Sequence, residues 1–93
     1  MSAVPVAAQP LADCNPGEFC EWTGANYSGT VSTSLARPGV CFNGSNYTKS
    51  LRNRTSHPVE LYGNVDCTGL VTTIPTGENR PTISFVFQSY IGV

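Results

Sequence analysis

When the chain is laid on itself with position 21 over position 61, Glu21–Val31 covers Leu61–Val71, and Trp22 meets Tyr62, Asn26 meets Asp66 and Gly29 meets Gly69. A repeat of this length is one supersecondary unit that cannot bury its apolar face alone, so the two copies must pack together. Each copy reads as an aromatic strand, a folded-over turn, a glycine and a second strand that ends at a proline or glycine turn. Gly29 and Gly69 are expected at positive φ, or where another group comes close to the backbone, because only glycine takes such positions cheaply.

The apolar residues recur with a period of two rather than 3.6, in short β-branched or aromatic runs broken by Gly, Pro and Asn. This pattern predicts strands near Glu18–Thr23, Thr30–Ser34, Val40–Phe42, Ser50–Asn53, Val59–Tyr62, Leu70–Ile74 and Ile83–Gln88. Turn chemistry fills the gaps at Arg37-Pro38-Gly39, Asn43-Gly44-Ser45-Asn46, Ser56-His57-Pro58, Gly63-Asn64 and Pro75-Thr76-Gly77. No stretch combines the caps and apolar stripe of a helix, so the expected fold is all-β.

A chain of 93 residues has room for one core. The expected organisation is a flexible Ala/Pro arm over 1–13 and a single domain over 14–93, with units of about 14–55 and 56–93. So small a core leaves a thin margin over chain entropy, and staples add to it. Cys14, Cys20, Cys41 and Cys67 supply an even count, as disulfides require. Structural zinc would need tight C-x2-C or H-x3-H pairs, whereas Cys14 and Cys20 stand six apart and His57 is the sole histidine. Three pairings are possible, and spacing alone does not choose among them. We prefer Cys14–Cys20, closing a loop through Pro16 and Gly17, with Cys41–Cys67, tying the first half to the second. Disulfides imply secretion. The opening ten residues lack a basic segment and an unbroken apolar run, so an export signal is expected to have been removed and Met1 to be an added start. No membrane span is expected.

With a net charge of -1 and only 12% charged residues, composition argues against nucleic acid as a partner. Lys49, Arg52 and Arg54 form a local basic cluster, read as a solvated strand edge that discourages edge-to-edge pairing. An enzyme is not expected: His57 lies beside Pro58 with no nucleophile motif nearby, and cysteines in disulfides cannot attack. Glu18 and Glu21 would fall on opposite faces of a strand, which does not make a carboxylate pair. No cofactor and no catalytic residue is assigned.

The aromatic-x4-aromatic-x-Gly pattern of the first hairpin, with a later serine, resembles the Greek-key motif of βγ-crystallins over residues 14–88. The opening Cys14-Asn15-Pro16-Gly17-Glu18-Phe19-Cys20-Glu21-Trp22 through Asn26-Tyr27-Ser28-Gly29 resembles secreted actinobacterial peptidase inhibitors of βγ-crystallin type, which include metalloproteinase inhibitors. Phe19, Trp22 and Tyr27 sit where that family places aromatics, and Ser50-Leu51-Arg52-Asn53 resembles its serine-containing strand between the units. The resemblance implies a disulfide-stapled sandwich of two Greek keys and about eight strands, from a bacterium, that blocks a secreted protease, with metalloproteases as the implied class. In the metalloproteinase-inhibitor type a short disulfide loop in the second half carries the reactive bond. Cys67 has no cysteine close after it, so no residue here is assigned a reactive bond. A bacterial source also makes the glycosylation-like triplets at Asn26, Asn43, Asn46 and Asn53 plain turn and edge segments.

Inhibition would work by rigid presentation of a loop, which loses little ordering entropy on binding. The candidate loops are Leu35–Val40, Gly63–Thr68 and Pro75–Pro81; the first choice is Gly63, Asn64, Val65, Asp66, Cys67 and Thr68, anchored at its cysteine. A monomer is expected. The alternative is a non-inhibitory binding module for a cell surface, glycan or calcium. Calcium sites of βγ-crystallins precede a hydroxyl pair; here Lys49 occupies one expected hydroxyl position, and Arg80 and Pro81 disturb the stretch ending at Ser84, so no metal site is assigned. Glycans would use exposed aromatics among Trp22, Tyr27, Tyr47, Tyr62 and Tyr90. Trp22 and Tyr62 are expected in the core, and Tyr47 is expected to be the most exposed.

Overall fold

A computed structural model describes residues 14–45 and 47–93; the proposed arm over 1–13 and Asn46 lie outside them. The described chain contains eight strands and no helix: β1 (Phe19–Gly24), β2 (Ser28–Ser34), β3 (Cys41–Asn43), β4 (Ser50–Asn53), β5 (Val59–Asn64), β6 (Thr68–Ile74), β7 (Asn79–Arg80) and β8 (Ser89–Gly92). They form two four-stranded antiparallel sheets, ordered β2-β1-β4-β7 and β3-β8-β5-β6. In each half the fourth strand returns beside the first, β4 beside β1 and β8 beside β5, an order consistent with a Greek key. The third strand of each half lies in the other half's sheet, so β3 and β7 link the two layers.

Alternation along β1 sorts its side chains onto two faces. Phe19 points between the sheets, where it packs with Leu51, Val59, Leu61, Ile74, Phe87 and Tyr90 in the main core. Cys20 and Trp22 point the other way, into a second cluster with Cys14, Tyr27 and Val31. Two disulfides staple the domain in the preferred pairing, Cys14–Cys20 and Cys41–Cys67.

The repeat is visible in the backbone. In one hairpin Asn26 and Tyr27 take positive φ (57° and 61°), and in the other Asp66 and Cys67 do the same (61° and 54°). Gly29 and Gly69 follow at φ 83° and 75°. A Cβ at Gly29 would collide with the Thr23 hydroxyl, and one at Gly69 would come within 2.7 Å of Asn64 Nδ2.

Four sequence expectations are corrected. Ile83–Gln88 is not a strand. Its burial does alternate, with Val86 exposed and Phe87 buried, but the segment crosses from one sheet to the other and finds no ladder partner. It is pinned at its ends, where the Ile83 amide donates to the Lys49 carbonyl and the Gln88 amide to the Tyr62 carbonyl, and the last strand is β8 instead. Trp22 is a core residue at 2% exposure, but its repeat partner Tyr62 is only half-buried. The Cys14–Cys20 loop covers Trp22, and the second half has no such loop over Tyr62, whose hydroxyl donates to Glu60 Oε1 instead. The basic cluster does not mark a sheet edge, because β4 lies between β1 and β7. Arg52 donates to Asn79 Oδ1 and lies 5.9 Å from the Tyr27 ring centre, and Arg54 donates to the Cys14 carbonyl. Finally, the two stretches weighed for calcium end at Ser50 and Ser84, but the serine that takes the place of Ser50 in the second half is Ser89.

Candidate functional site

The counterpart relation is a hydrogen-bond relation. The Ser50 hydroxyl accepts from the Tyr27 amide at 3.0 Å and donates to the Gly24 carbonyl at 2.7 Å. The Ser89 hydroxyl accepts from the Cys67 amide at 2.9 Å and donates to the Asn64 carbonyl. Each buried serine thus clamps a hairpin whose two turn residues sit at positive φ, a conformation that Tyr and Cys avoid unless their surroundings enforce it.

The two hairpins differ in what surrounds the clamp. In the first, Tyr27 turns back onto Trp22, with ring centres 5.1 Å apart, so the turn is held by packing. In the second, Cys67 is bonded to Cys41 of β3. Asn43 of the same strand braces the tip twice: its Oδ1 accepts from the Asp66 amide at 2.8 Å, and its Nδ2 donates to Asp66 Oδ1 at 3.2 Å. The Thr68 hydroxyl donates to the Val65 carbonyl at 3.0 Å. Gly63 and Asn64 end β5, Val65, Asp66 and Cys67 form the turn, and Thr68 opens β6. Val65 remains 49% exposed at the tip of this braced turn.

The other two candidate loops are tied differently. In Leu35–Val40 the Gly39 amide donates to the Gly92 carbonyl at 3.0 Å, and His57 Nε2–H donates to the Ala36 carbonyl at 2.6 Å, leaving Leu35 and Val40 exposed. Pro75–Pro81 contains β7 and is fastened to β4 through Asn53, whose amide donates to the Glu78 carbonyl and whose carbonyl accepts from the Gly77 amide.

A second feature escaped the sequence reading. Glu21, on the core-facing side of β1, is 7% exposed and lines a cleft of about 300 Å³ between the sheets. The Thr48 hydroxyl donates to its Oε1 at 2.7 Å. Burial raises the Glu21 carboxyl above its ordinary value near 4.5, against hydroxyl hydrogen bonds, chiefly from Thr48, that pull it down. Burial, with Glu21 as a smaller contributor, also pushes the neighbouring Tyr90 hydroxyl up to about 12. The only sequence signal for Glu21 is its position two residues after Phe19 on an alternating strand, which places it on the core face.

This burial makes a prediction. Because the folded-state pKa of Glu21 is raised, the folded chain holds a proton that the unfolded chain has released between the ordinary value near 4.5 and the raised one. Glu21 therefore contributes stability that is present below about pH 4.5 and lost as pH rises through the folded value. Denaturant unfolding of the wild type and Glu21→Gln across pH 3.5–8 should show the wild type losing stability relative to the variant as pH rises above about 4.5. Parallel curves would refute the buried-carboxyl assignment.

Comparison with known proteins adds one positive finding. Residues 7–74 match peptidase inhibitor family I36, a stretch that includes both disulfides and both hairpins and ends with β6. Neither a curated protein nor a solved structure matches the chain.

Proposed function

The chain belongs to peptidase inhibitor family I36, and we propose that it inhibits an extracellular metalloprotease, as a monomer, by presenting the β5–β6 hairpin Gly63–Thr68 as a rigid wedge. The observation that carries this reading is the bracing of the hairpin from three sides: the Cys41–Cys67 bond, the paired Asn43 and Asp66 contacts, and the Ser89 clamp. A loop already fixed in its bound shape loses little entropy in a protease cleft. Positive φ at Asp66 and Cys67 keeps the tip from lying extended as a substrate would, so the hairpin obstructs the cleft without offering a peptide bond for cleavage. The exposed Asp66 carboxylate supports the metalloprotease class, since it offers an oxygen to the open position of a catalytic zinc. Two disulfides favour an extracellular setting.

The test is inhibition of a thermolysin-like metalloprotease, subtilisin, trypsin and papain by the oxidised protein and by Val65→Asp. Val65 is half-exposed, so the variant should fold like the wild type while losing about 2 kcal/mol or more of binding, about thirtyfold in inhibition constant. Unchanged potency in Val65→Asp, together with a loss in Leu35→Asp, would move the site to Leu35–Val40. Failure of the folded protein to inhibit any of the four would overturn the reading.

A further inference from the structure

We propose that the cleft between the two sheets binds a neutral saccharide, with the Glu21 carboxyl and the hydroxyls of Thr30 and Ser32 meeting the sugar's hydroxyls and the Tyr47 ring its apolar face. The proposal stands apart from the inhibitory reading, which rests on the β5–β6 hairpin and not on these side chains.

The ligand class follows from what lines the cleft. Thr23, Thr30 and Ser32 project from β1 and β2 on the same face as Glu21, giving one wall a row of hydroxyls beside the buried carboxyl. Tyr47 lines the mouth and is 74% exposed, the most exposed large apolar side chain among the described residues, although nearby Phe42 and Tyr90 are taken into the sandwich. An exposed aromatic face beside convergent donors and acceptors is the pairing that a pyranose, polar at its rim and apolar on one face, requires.

Charge excludes the competing classes. Among the described residues no Lys, Arg or His lines the cleft, so an anion would meet a carboxyl with no compensating cation. A cation is disfavoured because burial makes the charged form of the Glu21 carboxyl the costly one, a cost that the Thr48 hydroxyl offsets only in part. A wholly apolar ligand would strip water from the hydroxyl wall without replacing its hydrogen bonds. The volume of about 300 Å³ lies at the small end of ligand sites and suits a mono- or disaccharide.

The experiment is an amide chemical-shift titration of the oxidised full chain with glucose, N-acetylglucosamine and its β-1,4 dimer, with glucosamine and glucuronate as charged counterparts. The expected result is saturable shifts at Thr30, Ser32 and Tyr47 with at least one neutral sugar, weakened about tenfold by Tyr47→Ala and also by Glu21→Gln. Tyr47 is exposed, so its variant keeps the proposal testable even if Glu21→Gln fails to fold. Three results would overturn it: no saturable shift at the cleft with any neutral sugar, shifts insensitive to Tyr47→Ala, or saturation by glucosamine alone, which would make the cleft a cation site. Peptidase inhibition is read in a separate assay, so either conclusion can fail without the other.

Discussion

Replacing Asn53 with leucine is expected to destabilise the domain by about 3–5 kcal/mol, because it leaves several buried polar groups without partners. Asn53 ends β4 with its side chain fully buried. Its Nδ2 donates to the carbonyls of His57 and Ile74 at 3.0 Å and of Pro75 at 3.2 Å. Its Oδ1 accepts from the Thr55 amide at 3.0 Å and from the Thr55 hydroxyl. One amide therefore fastens the end of β4 in the first sheet to the end of β6 in the second and to the segment that joins the halves. Leucine keeps the volume but supplies neither donor nor acceptor. Denaturant unfolding measures the loss, and the melting temperature should fall by roughly 4–8 °C for each kcal/mol. A cost below about 1 kcal/mol would mean that water or a backbone shift replaces the lost bonds.

Removing the Cys41–Cys67 bond is the second large effect, and it should reach both stability and inhibition. The bond joins cysteines 26 residues apart, and loop-closure entropy assigns such a link about 3.5 kcal/mol. It also anchors the proposed inhibitory turn. Cys41→Ala/Cys67→Ala should therefore unfold at markedly lower denaturant, and its folded fraction should inhibit about tenfold less well, because the freed turn must be ordered on binding. Cys14→Ala/Cys20→Ala supplies the contrast. That bond lies over Trp22 on the first sheet, so its loss should lower stability while the folded fraction keeps its potency. Equal loss of potency in both double variants would break the assignment of the inhibitory site to Gly63–Thr68.

Much of the architecture is legible along the chain, but unevenly. Ser50–Asn53 is predicted and observed with the same bounds, and the five strands predicted around it, from β1 to β6, are each found with shifted or extended ends, because alternation and turn residues are local properties. The repeat located both clamped hairpins, since the backbone conformation of a tight turn depends on the few residues within it. Ser89 was missed because it stands 39 positions after Ser50 (89 − 50), one short of the repeat offset. Ile83–Gln88 misled because alternating burial is all that sequence reports of a strand, whereas a strand also needs a neighbour to share its hydrogen bonds. Tyr62 misled for a related reason: its repeat partner Trp22 is buried by a disulfide loop that the second half lacks.

The sequence by itself determined an all-β chain of two related halves, the positive φ of Gly29 and Gly69, and an even set of cysteines. These depend on residues within a few positions of one another, where side-chain alternation and turn sterics act. The tertiary structure alone decided that β3 and β7 change places between the sheets, that Asn53 and Glu21 are buried, and that the hairpin at Val65 is braced by a strand more than twenty residues earlier. Those outcomes depend on which faces stack and which distant groups must be satisfied once water is excluded, and no local pattern along the chain records that choice.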